Sequence, residues 1–361
     1  MEEFIVSLGE RSYPIYLGEG LAAQIPQELR RRFPSGRFAL VTNETLANLY
    51  QKELTEWVSD LSMIRIVIPD GEQYKTIATW ESVLDSLLGA RLDRKAIVIA
   101  FGGGVVGDIT GFAAACFLRG VKYIQIPTTL LAMVDSSVGG KTAVDHKMGK
   151  NLVGAFHQPS LVWVDTAFLE TLPRREFIAG YAELFKYSFI GGDDMVSFVL
   201  SNHNAMMAND NKALVEGIRR SIEIKARIVE SDEREESGAR AVLNFGHTFA
   251  HAIERFYNFS VVLHGEAVLW GIACAYDLGL RAGTVPKAAM RTYEQLMEKL
   301  PCVNLPWKPD PEKLYEGMFF DKKVAQGKVK FVLPTDPGSV IIRSDIPQET
   351  VFETINNVFH I

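Results

Sequence analysis

The sequence predicts a two-part α/β chain: a mainly parallel sheet domain over residues 1–172, then a mainly α-helical domain over residues 173–361. Three observations predict it. In the first half, β-rich apolar runs at 38–43, 63–69, 96–101, 123–129 and 161–165 alternate with helical spacing, the pattern of buried parallel strands joined by helices. Beyond Pro173 helical periods dominate, over 174–190, 193–208, 212–231, 241–258, 264–282 and 285–300. The length, 361 residues, matches two domains of about 150 residues or somewhat more.

The elements follow in order. FALVTN (38–43) is a strand and a polar helix starts at Glu44; MIRIVIP (63–69) is a second strand, and Gly71 to Lys75 form a loop before helical spacing that runs from Thr76. AIVIAF (96–101) is a third strand, GGGVVG a tight loop, and DITGFAAACFLRG a helix of small residues. YIQIPTT (123–129), broken by Pro127, and LVWVD (161–165) complete the sheet. After the helical half, VKFVLP (329–334) and SVIIRSD (339–345) are β-like, and a last helix starts from Pro347.

Composition narrows the function. Apolar residues at 47% and charged residues at 23% are those of an ordinary globular protein, not of a disordered, collagenous or coiled-coil chain. The 38 basic and 44 acidic residues leave a net charge of −6, which argues against nucleic acid as a partner. Three widely spaced cysteines, Cys116, Cys274 and Cys302, form no CxxC, and the expectation is reduced thiols in a cytoplasmic protein. The opening MEEFIVSLGERSYPIYLG has no signal-peptide pattern. The apolar stretch 96–118 carries five glycines and Asp108, so it is read as strand, turn and helix, and no membrane partner is expected.

Three constellations carry chemistry. Gly102-Gly103-Gly104-Val105-Val106-Gly107-Asp108 sits between a strand and a helix, where glycines let backbone approach a pyrophosphate and the helix start offers N–H donors. A tight turn packed under a helix is the plainer reading. The acidic residue expected about twenty positions on is absent, and Asp108 lies inside the loop instead. In the preceding loop, Glu72 and Lys75 have the chemistry to grip a ribose, or simply to coat a surface turn.

The second constellation is VDSSVGGKT (134–142). It ends like a P-loop, but the pattern fails because 135 is Asp and 136 is Ser. What remains is Lys141 with Lys147, Lys150 and Asn151 close behind, either an anion site or a solvated basic loop. The third is Glu183, His247 and His264, whose residue types suit a catalytic Zn²⁺ held by three ligands with an open position; each could equally be a hydrogen-bonded core residue. His247 and His251 share a helix face, but HTFAH is not the zinc-protease HExxH. Arg119, Lys225, Glu236, Arg240, Asn244, Lys322 and Lys323 are the remaining charged or polar positions that a site for a phosphate and a carboxylate would draw on.

With these residues in view, the chain resembles the 3-dehydroquinate synthases of the sugar phosphate cyclase family. GGGVVGDITGF, IPTTLLAMVDSSVGGKTAVDH, GKNLVGAFHQP, DTAFLETLPRREF, GYAELFKY, LNFGHTFAHAIE and LHGEAV carry the resemblance, which runs nearly end to end. It implies a Rossmann-like NAD-binding domain followed by a helical domain that binds metal and substrate. Glu183, His247 and His264 would hold Zn²⁺, with Co²⁺ an alternative. Asn43, Glu72, Lys75, Gly103, Gly104, Val105, Gly107, Asp108, Thr128, Thr129, Lys141 and Lys150 would line NAD, with Phe168, Thr171, Leu172 and Glu176 closing over it. Asp135, Lys141, Asn151, Lys186, Lys225, Arg240, Asn244, His251 and Lys322 would surround a sugar phosphate substrate, and Arg119 would reach its phosphate across a homodimer interface.

The implied reaction converts 3-deoxy-D-arabino-heptulosonate 7-phosphate into 3-dehydroquinate and phosphate, in the shikimate pathway. It proceeds through oxidation by NAD⁺, phosphate elimination, reduction, ring opening and aldol closure, with His251 relaying the first proton. A metal- and NAD-dependent polyol or alcohol dehydrogenase, or a sister sugar phosphate cyclase, is the alternative.

Overall fold

The computed structural model describes residues 1–259, 261–319 and 328–360, and the chain divides into two compact units, Met1–Leu172 and Pro173–Ile361. In the first unit the order is β1 (Glu2–Val6), β2 (Tyr13–Gly18), α1 (Ile25–Arg32), β3 (Phe38–Asn43), α2 (Glu44–Leu49), α3 (Gln51–Leu61), β4 (Ile64–Ile68), α4 (Ile77–Gly89), β5 (Ile97–Gly102), α5 (Gly104–Cys116), β6 (Lys122–Pro127), β7 (Lys141–His146), β8 (Gly149–Phe156) and β9 (Leu161–Asp165). In the second it is α6 (Arg174–Ile190), α7 (Asp193–Met207), α8 (Asn211–Ser231), α9 (His247–Phe256), α10 (His264–Arg281), α11 (Met290–Lys299), α12 (Pro311–Met318), β10 (Phe331–Pro334), β11 (Val340–Arg343) and α13 (Gln348–Phe359).

Seven strands of the first unit form one sheet in the order β1-β2-β9-β6-β5-β3-β4. The pairs β2–β9, β9–β6, β6–β5, β5–β3 and β3–β4 are parallel, and only β1–β2 is antiparallel. Strand β5 is buried at every position, as a central parallel strand covered on both faces must be, and its continuous apolar run gives it away in the sequence. The core on one face includes Val41, Val98, Ala100, Ile109 and Ala113, with Val83 and Leu87 of α4 packed on it.

The topology places a ligand. From β3 the chain moves outward to β4, then returns to the other side of β3 for β5 and continues through β6 to β9. The direction of growth reverses between β3 and β5, and the crevice outside the carboxyl ends of two such strands is where open α/β sheets take ligands. Asn43 ends β3 and Gly102 ends β5.

The second unit is helical, with a small β10–β11 antiparallel ladder, and its interior is aromatic. Phe189 stacks on Phe245 with ring centroids 4.5 Å apart and on Tyr293 at 5.4 Å. Buried polar side chains among these helices include Glu183, Lys186, Lys225, Arg240, His247 and Glu254.

Four local expectations need correction. The glycine stretch is not a six-residue loop: α5 starts at Gly104 with Gly103 as its N-cap, because small residues meet no steric bar to an early helical turn. Residues 241–258 are not one helix. A 3₁₀ segment, Ala239–Asn244, is separated from α9 by Gly246 at φ 78°, a left-handed conformation that ends one helical run before the next begins. Helix α11 starts at Met290 rather than 285, and the strand read over 123–129 ends at Pro127, the residue expected to break it. The stretch 141–156, read only for its basic residues, is the β7–β8 hairpin.

Candidate active site

In the first unit, the residues proposed for nucleotide binding follow the carboxyl ends of five parallel strands: Asn43 after β3, Glu72 and Lys75 after β4, Gly103 to Asp108 after β5, Thr128 and Thr129 after β6, and Phe168, Thr171 and Leu172 after β9. Separate stretches of sequence are thus gathered along one edge by strand direction alone. Asn43 caps α2, accepting from Leu46 N at 3.0 Å. Thr128 N donates to Gly102 O at 3.0 Å and ties the ends of β5 and β6 together. A Cβ on Gly103 would come within 3.0 Å of Thr129 Cγ2, and one on Gly107 within 2.7 Å of Gln125 Oε1, so both glycines let α5 lie close on its neighbours.

Lys75, 5% exposed, is the electrostatic centre of this edge. Its Nζ donates to Asp108 Oδ2 at 2.5 Å and to Asn151 Oδ1 at 2.6 Å. Burial opposes its charge, but Asp108 and Glu72 together hold its pKa above the usual lysine value. The β7–β8 hairpin is stitched to the same place: Asp145 N donates to Lys75 O at 2.7 Å, Asn151 N donates to Asp145 Oδ1 at 2.8 Å, and Lys150 Nζ lies 3.4 Å from Glu72. Lys141 begins β7 and is exposed. Asp135 lies in a wide π-type turn, Ala132–Ser136, a geometry frequent at functional sites.

Arg119 is not brought to that edge. It follows the far end of the 13-residue α5, about 20 Å of helix from Gly104. Leu118 and Arg119 have φ of 49° and 68°, uncommon for non-glycine residues, in a turn closed by Gly120.

In the second unit three helices converge. Glu183 and Lys186 share a face of α6, His247 opens α9, and His264 opens α10. One ligand atom from each of Glu183, His247 and His264 lies within 4.8 Å of the others. The Nε2 atoms of His247 and His264 are 3.4 and 3.3 Å from Glu183 Oε1. Close backbone approach makes this possible. A Cβ on Gly265 would sit 1.9 Å from Ala179 O on α6, and one on Gly271 would sit 2.1 Å from Gly246 O, so neither position admits a side chain.

The donor set fits a divalent cation. Both carboxylate oxygens of Glu183 are buried; Lys186 Nζ stands 2.5 Å from Oε2, and Oε1 faces the two histidines. Each histidine has its other nitrogen engaged elsewhere: His247 Nδ1 is 3.1 Å from Phe245 O, and His264 Nδ1 is 3.2 Å from Glu254 Oε2. Such outer partners fix the tautomer that leaves Nε2 free to ligate.

Charge is balanced accordingly. Burial opposes ionisation of Glu183, but Lys186 and His247 outweigh it and hold the carboxyl well below its usual range. Burial brings His247 down to about 4, with Lys186 and His264 adding to the effect. Burial works against charge on His264 too, yet Glu254 and Glu183 together push it up to about 10. A buried neutral imidazole, a carboxylate and a second imidazole are ligands suited to Zn²⁺.

The rest of the predicted set divides by unit. His251 lies 5.5 Å from His247 and 6.3 Å from His264, ring to ring, on the same face of α9. Lys225 is buried on α8, Arg240 and Asn244 lie in the 3₁₀ segment before α9, and Glu176 is in the first turn of α6. Arg240 Nη1 donates to Glu233 O at 2.9 Å, beneath a loop held by Asp232, whose Oδ1 accepts from Glu236 N and Ser237 N at 2.8 and 3.2 Å. Lys322 and Lys323 lie outside the described residues.

Two participants were missed in the sequence. Glu254 stands seven positions after His247, two turns along one helix face, and that spacing was a readable signal. Tyr50 had none: its hydroxyl bonds Thr171 Oγ1 at 2.7 Å and its ring packs on Phe101 and Phe168, holding the Thr166–Thr171 turn against the sheet end.

Comparison with known proteins places the chain in a family. Family models described as 3-dehydroquinate synthase N-terminal and C-terminal match residues 65–179 and 180–324. The 3-dehydroquinate synthase of Pseudomonas entomophila (strain L48) is 46% identical over 357 residues, 98% of this chain and 97% of the relative. Among solved structures, 2-epi-5-epi-valiolone synthase from Streptomyces hygroscopicus subsp. jinggangensis, with NAD⁺ and Zn²⁺ bound, superposes with a TM-score of 0.86 at 26% identity, covering 98% of each chain. A 2-deoxy-scyllo-inosose synthase complexed with carbaglucose-6-phosphate, NAD⁺ and Co²⁺ shares the fold, with a TM-score of 0.87 at 24% identity over 99% of each chain. The chain belongs to the 3-dehydroquinate synthase family.

Proposed function

We propose that this chain catalyses the reaction of its family, converting 3-deoxy-D-arabino-heptulosonate 7-phosphate to 3-dehydroquinate and phosphate. The observation that carries the reading within the structure is the three-helix ligand set, in which Glu183, His247 and His264 turn free donor atoms toward one another while their other polar atoms are engaged. Identity of 46% to a 3-dehydroquinate synthase over nearly the whole chain supports it and weighs against the dehydrogenase and sister-cyclase alternatives.

When bound, NAD⁺ supplies transient oxidation and re-reduction of the substrate, and a divalent ion, Zn²⁺ or Co²⁺, supplies Lewis acidity. The residues of the chain do the rest. The strand-end row from Asn43 to Leu172, with Lys141 and Lys150, binds the dinucleotide. The helix start at Gly104 meets its pyrophosphate, and Lys75 keeps Asp108 and Asn151 in place. His251 accepts and relays the proton of the oxidised hydroxyl as a general base. Lys186, Lys225, Arg240, Asn244, Asp135, Lys141, Asn151 and Lys322 hold an anionic substrate so that ring closure follows from enforced geometry. Arg119, at the far end of α5 from the dinucleotide loop, serves the substrate phosphate of a second copy, which makes the functional unit a homodimer. The first unit is thus the NAD-binding domain and the second the metal- and substrate-binding domain.

The workplace is the cytoplasm, a reading supported by the three free cysteines. Among the described residues no helix is long and apolar enough to cross a membrane. The test is phosphate release from the heptulosonate phosphate with NAD⁺, with and without chelator. Release without net NADH, lost on chelation, is the expected result; net NADH from a simple polyol without phosphate release would favour a dehydrogenase.

A further inference from the structure

The carboxylate of Glu254 is assigned neither to the ligand set nor to substrate or NAD⁺ in the function proposed above, and its position is unusual. The side chain is 4% exposed, and a buried carboxylate is costly unless it meets a donor. The donor is the back of a ligand: Oε2 lies 3.2 Å from His264 Nδ1, while Nε2 of the same ring lies 3.3 Å from Glu183 Oε1. His264 is therefore held between two carboxylates, one on each nitrogen. The ring keeps 34% of its side-chain surface exposed, so packing alone does not fix its rotation. It is also the first residue of α10, with no preceding helical turn beneath it. His247 is placed differently. Its Nδ1 meets the carbonyl of Phe245 two residues earlier in the same chain segment, and it is nearly buried.

We infer that Glu254 is a positioning residue that orients His264 through Nδ1 and so sets how tightly the ligand set of Glu183, His247 and His264 holds a divalent cation. This rests on the metal reading of that set. Glu254 accepts the Nδ1 proton, leaving the Nε2 lone pair aimed at Glu183 Oε1, and its negative charge makes that nitrogen a better donor. Helix α9 thereby serves the cation twice: directly through His247 at its start, and two turns on through Glu254, which acts on a ligand borne by α10.

The experiment measures Zn²⁺ affinity of the full chain by competition with a chromophoric chelator, with no substrate present. Loss of an outer-shell partner of this kind weakens metal binding about 10–100-fold. Glu254→Ala is expected in that range, and Glu254→Gln, which keeps volume and an acceptor oxygen but not the charge, about tenfold. The Co²⁺-loaded Gln variant is expected to show a shifted visible spectrum, which lost packing elsewhere would not produce. Should Glu254→Ala fail to fold, the Gln variant decides. Wild-type affinity and spectrum in Glu254→Gln overturn the inference. His264→Ala separates the two claims: if it still binds one Zn²⁺ as tightly as wild type, the metal reading itself fails; if it loses Zn²⁺ while both Glu254 variants keep it, only the role of Glu254 fails.

Discussion

The edge of the sheet in the first unit and the ligand set in the second solve the same problem by opposite means. Along the sheet edge, five strands running one way deliver their following residues to one line, and the chemistry is largely that of backbone: the start of α5, the tie from Thr128 N to Gly102 O, and glycines that admit close approach. In the second unit no backbone direction does this work. Side chains from α6, α9 and α10 converge only because Gly265 and Gly271 let those helices meet backbone to backbone. The first site is built from topology; the second is built from packing, where one added atom displaces a ligand.

That contrast can be broken in three places. The largest effect belongs to His264→Ala. Removing one of three ligands forfeits several kcal/mol of transition-state stabilisation, about a thousandfold in kcat at ~1.4 kcal/mol per decade, and steady-state phosphate release measures it. Full activity in that variant after exhaustive chelation would refute the ligand set.

Next comes a matched pair of glycines. In Gly265→Ala the new Cβ meets Ala179 O at 1.9 Å, so α10 must part from α6; a loss of about 3 kcal/mol in thermal unfolding is expected, with weaker Zn²⁺ binding. In Gly103→Ala the Cβ meets the Thr129 side chain, Cγ2 at 3.0 Å and Oγ1 at 3.4 Å, and φ is an ordinary −77°. Its expected stability loss is below about 1 kcal/mol, with the damage appearing as a raised KM for NAD⁺. Equal stability losses in the two variants would erase the distinction between a topological and a packed site.

The smallest effect is a pH dependence. Enclosure pushes Asp232 up, but the Ser237 and Glu236 donors outweigh it and bring the carboxyl down to about 2. A carboxyl with a lowered folded-state pKa contributes stability that is present above its unfolded value of ~3.9 and is lost as pH falls toward the folded one. Asp232→Asn should therefore melt below wild type at pH 6, with the gap closing between pH 4 and pH 2. A gap that is unchanged at pH 2 would mean that the loop before Arg240 is held by something other than this charge.

Much of this was readable before folding. Strands β3, β5, β6 and β9 were visible as apolar runs because a parallel strand covered on both faces has no polar side to interrupt it, whereas the edge strand β4 leaves Arg65 and Val67 exposed. The boundary of helix α6 was visible in Pro173 followed by helical spacing. The hairpin at 141–156 was not, because polar residues and glycines interrupt the apolar ones in its half-exposed strands and the lysines in it drew a chemical reading instead of a structural one. The break at Gly246 was hidden for a different reason: apolar residues continue across it at helical spacing, and only the approach of Gly271 shows why the chain turns there.

Residue types and order were enough to determine the two-part α/β plan and to nominate Glu183, His247 and His264, because strand burial, helix period and ligand chemistry are local properties written one residue at a time. Convergence is not local. That three ligands from three helices fall within 4.8 Å of one another, that Glu254 backs one of them, and that Lys75 locks Asp108 to Asn151 were decided by helix packing and strand order, which couple residues far apart in the chain through steric contact.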